Sequence, residues 1–333
     1  MKPIVISFLF TAWVQAQSIL LPQGMLERMN GLTKDHPQLK LIGYRDAAEA
    51  LTQVATADAY IGGPDQALMD AGVKLRWVHI FSAGIENHTH LPRIKDGQVT
   101  LTSLKIYQGP EIADHAFALL LGLTRNMASY QQAQLEGKWL KAGSPALPLI
   151  ELRGKTLLVV GYGGIGVQVA ERAKAFGMIV HAIDEKDIPL TQNLDARGKP
   201  DELGYFLETA DVVVSCIPHT PQTEGMFGEK EFSQIKQGAY FINVSRGKVA
   251  DTAAMVKALQ SDRLAGAGLD VVDPEPLPPE HPLWKMKNVL ITPHIAGVSE
   301  ARSERQNTLI ETNIARFASS LPLKNQVDAT KGY

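Results

Sequence analysis

Short apolar runs recur along the chain, separated by stretches whose apolar residues follow helical spacing. Beyond residue 17 the runs "SILLP", "LKLIGY", "AYIGG", "LRWVHIF" and "VTLTSL" read as five strands. "GMLERMNGL" and "AAEALTQVATA" supply helices between them. Continuous apolar strands alternating with helices predict a parallel sheet covered on both faces. This first doubly wound unit ends near residue 106. The stretch 109–139 then reads as one long helix, with Pro110 in its first turn and Glu111 and Asp114 at its positive end. "AGSPALPLIELRG" is a connector. A second set of six runs follows: "TLLVVG", "MIVHAID", "DVVVSCIP", "AYFINVS", "GAGLDV" and "NVLITPH". A final helical stretch, about 299–320, lies beyond that set and is expected to return to the first domain. The predicted domains are therefore a discontinuous one, 17–106 with 298–333, and an inserted one, 107–297.

Composition narrows the function classes. The apolar share is 45% and the formal net charge is −2, so there is no basic field to hold a nucleic-acid backbone. Lys- and Arg-rich runs suited to a membrane surface are also missing, so no membrane partner is expected. The one cysteine, Cys216, rules out an internal disulfide or a cysteine-based zinc site, and is expected as a buried small residue in its strand. His88 and His90 in "ENHTH" form a close pair without further ligands, so no metal is expected. The N-terminus has a positive start at Lys2, an apolar run from Ile4 to Val14 and the small-residue pattern Val14-Gln15-Ala16. That layout predicts a signal peptide over 1–16, and with it export.

"VVGYGGIGVQVA" holds Gly161, Gly163 and Gly166 between an apolar strand and a helix. That context marks a dinucleotide-binding Rossmann unit. Gly161 permits the tight turn, Gly163 lets backbone approach a pyrophosphate, and Gly166 lets helix and strand pack closely. Asp184 ends the next strand, about 20 residues on, where a carboxylate binds ribose hydroxyls and repels a 2′-phosphate. NAD is therefore expected over NADP, although Lys186 stands close by. The cofactor contacts are expected at Gly161, Gly163, Gly164, Ile165 and Gly166, at Asp184, and at the later strand ends Ile217, Pro218, Val244, Ser245, Asp270 and Gly297.

Three polar side chains follow predicted strands in the second half: Arg246, Glu275 and His294. Ligands of open α/β sheets bind outside the carboxyl ends of strands, so spacing allows these three to meet there. Arginine grips a carboxylate bidentately. Histidine can give a proton to a carbonyl oxygen as hydride arrives at its carbon, and a neighbouring carboxylate stabilises the imidazolium. The trio suits a 2-oxo acid.

From "VVGYGGIGVQVA", "INVSRGKVAD", "AGAGLDVVDPEPLPPEHPLW" and "NVLITPHIAG", the sequence resembles the D-isomer-specific 2-hydroxyacid dehydrogenases over nearly all of residues 18–327. "FSAGIENH", "GPEIADHAFALLLGLTRN" and "PLKNQVD" are weaker matches. The resemblance implies a Rossmann domain inserted into a flavodoxin-like substrate-binding domain, and a homodimer built on the NAD domains. It places the family's arginine, glutamate and histidine on Arg246, Glu275 and His294, and a substrate-carboxylate contact at the backbone of Ala83 and Gly84. It also implies that Asp270 touches the nicotinamide amide. Glyoxylate, hydroxypyruvate and pyruvate are the substrates it suggests. Glu86 stands where many members carry aspartate, with little effect expected. The signal peptide is a second departure, since the family's default is cytoplasmic. Phosphite or formate oxidation on the same scaffold is an alternative, with Glu275 speaking against formate, where glutamine stands beside the histidine. A dinucleotide-sensing, corepressor-like protein is another. His115 is expected to pack or cap on the long helix, Trp139 to serve as a dimer contact, and Trp284 to anchor its loop.

Overall fold

A computed structural model describes residues 16–141, 149–329 and 331, so the segment read as a signal peptide lies outside the described residues, apart from Ala16. The chain forms two compact units. The described part of one comprises residues 16–81, 87–103 and 306–329; the other comprises 82–86 and most of 104–305, with residue 331.

The smaller unit is a five-stranded parallel sheet. Its strands are β1 (Gln17–Pro22), β2 (Leu39–Tyr44), β3 (Ala59–Ile61), β4 (Trp77–His79) and β5 (Thr100–Thr102). They lie in the order β2-β1-β3-β4-β5, the flavodoxin-like arrangement. Ile19, Leu21, Ile61 and Trp77 pack with Ile310, Ile314 and Ala318 from the helix Arg302–Ala318. That helix repeats its buried positions every three or four residues, which is why the pattern was legible.

The larger unit is a seven-stranded parallel sheet. Its strands are β6 (Thr156–Val160), β7 (Ile179–Ile183), β8 (Ala196–Gly198), β9 (Val212–Ser215), β10 (Ala239–Asn243), β11 (Leu264–Leu269) and β12 (Val289–Ile291). The order is β12-β11-β10-β9-β6-β7-β8, so the direction of winding reverses between β6 and β9. Period-two alternation sends Leu157 and Val159 into one buried cluster and Leu158 and Val160 into another. Both sheet faces are thus covered, and a buried leucine or valine contributes roughly 1.5–3 kcal/mol by leaving water.

Three sequence expectations need correction. The stretch 109–139 is two helices, α1 (Gly109–Thr124) and α2 (Met127–Leu135). Asn126 adopts a φ of 53° between them, the left-handed conformation that terminates a helix. Trp139 lies beyond the end of α2. Strand β8 escaped the pattern because its three residues, Ala-Arg-Gly, lie at the sheet edge and carry no apolar run. Finally, the predicted boundaries 106/107 and 297/298 differ from the compact units, because residues 82–86 and 298–305 group with the larger one.

Candidate active site

The glycine loop joins β6 to helix α3 (Gly164–Ala175). Gly161 has a φ of +94°, and a Cβ there would lie 2.9 Å from the Cys216 carbonyl. The loop is therefore pressed against the end of β9, at the point where the winding reverses. A Cβ on Gly166 would lie 2.1 Å from the Gly161 carbonyl oxygen, so only glycine allows this loop and helix to close. Gly163 differs: nothing lies within 4 Å of its Cβ position. The chain itself does not need glycine at this helix N-cap, whereas a phosphate approaching the free N–H groups does. Gly164 meets the chain on its other side, its Cβ position being 2.4 Å from Ile106 Cα. Ile165 is partly buried against the core.

Asp184 follows β7 and faces the same loop. Its Oδ2 accepts the Tyr162 N–H at 2.7 Å and its Oδ1 accepts the Lys186 N–H at 2.8 Å. The carboxylate is thus fixed at the edge of the phosphate cradle with lone pairs to spare for hydroxyl donors. This set of residues fits a dinucleotide: an open backbone cradle, a helix start and an oriented acid.

The end of β10 carries a buried polar knot. The Ser245 hydroxyl donates to Asn243 Oδ1 at 2.7 Å and lies 2.9 Å from the Ser215 hydroxyl. Asn243 Nδ2 donates to the Arg246 carbonyl at 3.0 Å. These bonds fix the backbone from which Arg246 springs, and Val244 is buried beside them. The Arg246 guanidinium donates through Nη1 to the Ser245 carbonyl (2.6 Å) and through Nε to Glu86 Oε1 (3.0 Å). A Cβ on Gly84 would sit 1.9 Å from Arg246 Nη2, so the glycine expected near a substrate carboxylate is also what admits the arginine. Ser82 donates to the Gly84 carbonyl at 2.6 Å, and Ala83 lies between them, partly exposed.

His294 stands just past β12, in the left-handed region at a φ of 54°. Its N–H donates to the Asp270 carbonyl at 2.8 Å and its Nδ1 is 2.7 Å from Glu275 Oε1. Since the carboxylate accepts, Nδ1 carries a proton and Nε2 is left for other work. Nearly half of each side chain is exposed, at 45% and 41%. Gly247 brings the arginine and glutamate loops together, because its Cβ position is 1.8 Å from the Val272 carbonyl oxygen. Among the described residues no hydrogen bond or ion pair joins Arg246 to His294.

Asp270, expected at the nicotinamide amide, also has a structural part within the chain. It is buried, and Oδ1 accepts from the Thr292 hydroxyl (2.7 Å) and the Ile295 N–H (2.9 Å), while Oδ2 accepts from the Ala296 N–H (2.9 Å). The carboxylate holds the loop that carries His294. Thr292 spends its single proton on Asp270, so it accepts from His115 Nε2 at 2.7 Å. His115 is therefore a member of this network rather than a simple packing residue. A Cβ on Gly297, at the end of the loop, would lie at ordinary contact distance, 3.5 Å, from Gln108 Nε2.

Cys216 falls one residue past β9 and is partly exposed, not buried within the strand. Its sulfur packs on the core, and burial pushes the thiol up to about 12. It is no nucleophile at neutral pH. Ile217 and Pro218 continue the same strand end, the Pro218 carbonyl accepting from Thr223. Trp284 donates through Nε1 to the Pro278 carbonyl at 2.9 Å, tying down its loop.

Sequence reasoning missed Asn243 and Thr292, and gave His115 and Glu86 only lesser parts. Asn243 and Thr292 share a readable signal, a polar residue ending or following an apolar strand. His115 and Glu86 carry none, because their partners lie 177 and 160 residues away.

Residues 117–296 match the family model described as "D-isomer specific 2-hydroxyacid dehydrogenase, NAD binding domain". A glyoxylate reductase of Korarchaeum cryptofilum is 34% identical over 298 residues, 86% of this chain and 89% of that one. The chain belongs to the D-isomer-specific 2-hydroxyacid dehydrogenase family. A hydroxypyruvate reductase of Blautia hydrogenotrophica is 32% identical over 254 residues, 75% of this chain and 77% of its own length. Among solved structures, the NADPH-dependent glyoxylate/hydroxypyruvate reductase of Sinorhizobium meliloti, in complex with NADP and sulfate, superposes with a TM-score of 0.78 at 26% identity, covering 95% of this chain and 100% of that one. The two parallel α/β sheets are those of the family, and the protein is an oxidoreductase of 2-hydroxy acids.

Proposed function

We propose that this dehydrogenase reduces small 2-oxo acids of the glyoxylate, hydroxypyruvate and pyruvate kind to D-2-hydroxy acids, with NADH. The observation that carries the reading is the His294–Glu275 pair at 2.7 Å, held in a left-handed loop at a strand end and open to solvent. Glu275 fixes the imidazole tautomer and stabilises the imidazolium, leaving Nε2–H to protonate the carbonyl oxygen. Arg246 takes the substrate carboxylate through guanidinium N–H groups not spent on Ser245 and Glu86. The bound dihydronicotinamide would supply the hydride to the carbonyl carbon. After product leaves, neutral His294 regains its proton from water.

Asp184 supports NAD over NADP, because a fixed carboxylate at that point repels a 2′-phosphate. Assaying NADH against NADPH tests this preference, the Sinorhizobium meliloti relative being in complex with NADP. We also propose a homodimer, checked by light scattering, and a cleaved, exported N-terminus, checked by N-terminal sequencing of the protein from its host.

Replacing His294 with alanine tests the acid-base assignment. We expect kcat to fall by roughly 10²–10⁴-fold, with NADH affinity kept in a fluorescence titration. Wild-type kcat in that variant would remove His294 from the mechanism.

A further inference from the structure

We propose that Glu86 is a positioning residue for Arg246 and restricts the site to 2-oxo acids bearing a single carboxylate. This rests on the function proposed above. The sequence suggested that glutamate at this position matters little; its contacts give it a part. A guanidinium offers two forks to a carboxylate, Nε with Nη2 along its side and Nη1 with Nη2 at its end. Glu86 occupies Nε at 3.0 Å, while the Ser245 carbonyl holds Nη1 at 2.6 Å. The two contacts fix the guanidinium plane. The glycine at position 84 leaves space where a Cβ would stand 1.9 Å from Nη2 and 2.6 Å from Glu86 Oε2. The Glu86 carboxylate therefore lies beside the remaining donors of Arg246, and both side chains are about one-third exposed, at 32% each.

Charge follows from the geometry. Arg246 and Glu86 together are neutral, so one arriving carboxylate shares a cation already paired. A second carboxylate on the same substrate meets Glu86 without a further charge from Arg246 to offset it. Repulsion between like charges a few ångströms apart in a partly dry site is large enough to set a preference. The account calls for substrates such as pyruvate, and discriminates against pyruvate carrying an extra carboxylate, oxaloacetate.

The test uses the whole enzyme and two variants, with melting temperature confirming that each folds. Glu86→Gln keeps an acceptor for Nε but removes the charge. It should raise the ratio of kcat/KM for oxaloacetate over pyruvate at least tenfold. It should also tighten oxalate at least tenfold relative to oxamate in calorimetry on the NADH complex. Glu86→Ala removes the anchor as well, and should lower kcat/KM for pyruvate at least tenfold, mainly through KM, with NADH binding unchanged. An active enzyme whose two ratios stay within twofold of wild type would overturn the charge assignment. Unchanged pyruvate kinetics in Glu86→Ala would overturn the positioning role. A wild-type enzyme that reduces no 2-oxo acid would instead overturn the proposed function, and this inference with it.

Discussion

At the scale of single residues, the account turns on groups whose partners are specified. Arg246 is held by Ser245 and Glu86, with Nη2 beside Gly84. Arg246→Ala removes charge-assisted bonds to the substrate carboxylate worth roughly 1.5–3 kcal/mol each. Steady-state kinetics should show kcat/KM falling on the order of a hundredfold or more, while NADH still binds. Retention of wild-type kcat/KM would contradict the clamp. His79 gives a separate prediction, of stability. It is fully buried at the end of β4, with Nδ1 2.8 Å from the Thr102 hydroxyl and Nε2 without a partner among the described residues. Burial lowers its pKa from 6.5 to about 4. The folded protein thus resists a proton that the unfolded chain accepts. The contribution is present above pH 6.5 and is lost as pH falls from there towards 4, by about 3 kcal/mol at most. Urea midpoints measured at pH 7 and 5 should converge in His79→Asn; an acid loss equal to wild type would assign the effect elsewhere.

At the scale of elements, the loops after parallel strands do the chemistry, and the strands set their place. Gly161, Asp184, Val244 and Asp270 each immediately follow a strand end, which is why apolar runs pointed to them as candidates. Local glycine spacing was equally informative: Gly161, Gly164 and Gly166 each answer a close contact, whereas Gly163 borders open space. Two of them separate folding from binding. Gly166→Ala drives a Cβ towards a carbonyl 2.1 Å away and should cost roughly 1–3 kcal/mol in denaturant titration. Gly163→Ala enters open space, so stability should hold while the NADH Kd rises by about tenfold or more. Equal destabilisation by both would undo the distinction. Other features were illegible for physical reasons. No glycine or proline stands at the break around Asn126, so the stretch reads as one continuous helix. A three-residue polar edge strand gives no period at all. The Arg246–Glu86 pair and the His115–Thr292–Asp270 network depend on tertiary approach, which local spacing does not encode.

At the scale of the whole molecule, the two parallel sheets differ in strand number and order. The larger unit holds the glycine cradle, the fixed Asp184 and the His294–Glu275 pair. The segment 82–86 groups with that unit and brings Gly84 and Glu86 to Arg246. The charge of −2 gives little long-range attraction for an anionic substrate, so recognition rests on local groups. The most direct measurement of the account is oxidation of NADH and NADPH against a panel of glyoxylate, hydroxypyruvate and pyruvate, with the chirality of the chiral products determined. The account predicts turnover of at least one, a D product from hydroxypyruvate or pyruvate, and kcat/KM at least about tenfold higher with NADH. Tight NADH binding with no turnover of any 2-oxo acid would contradict it.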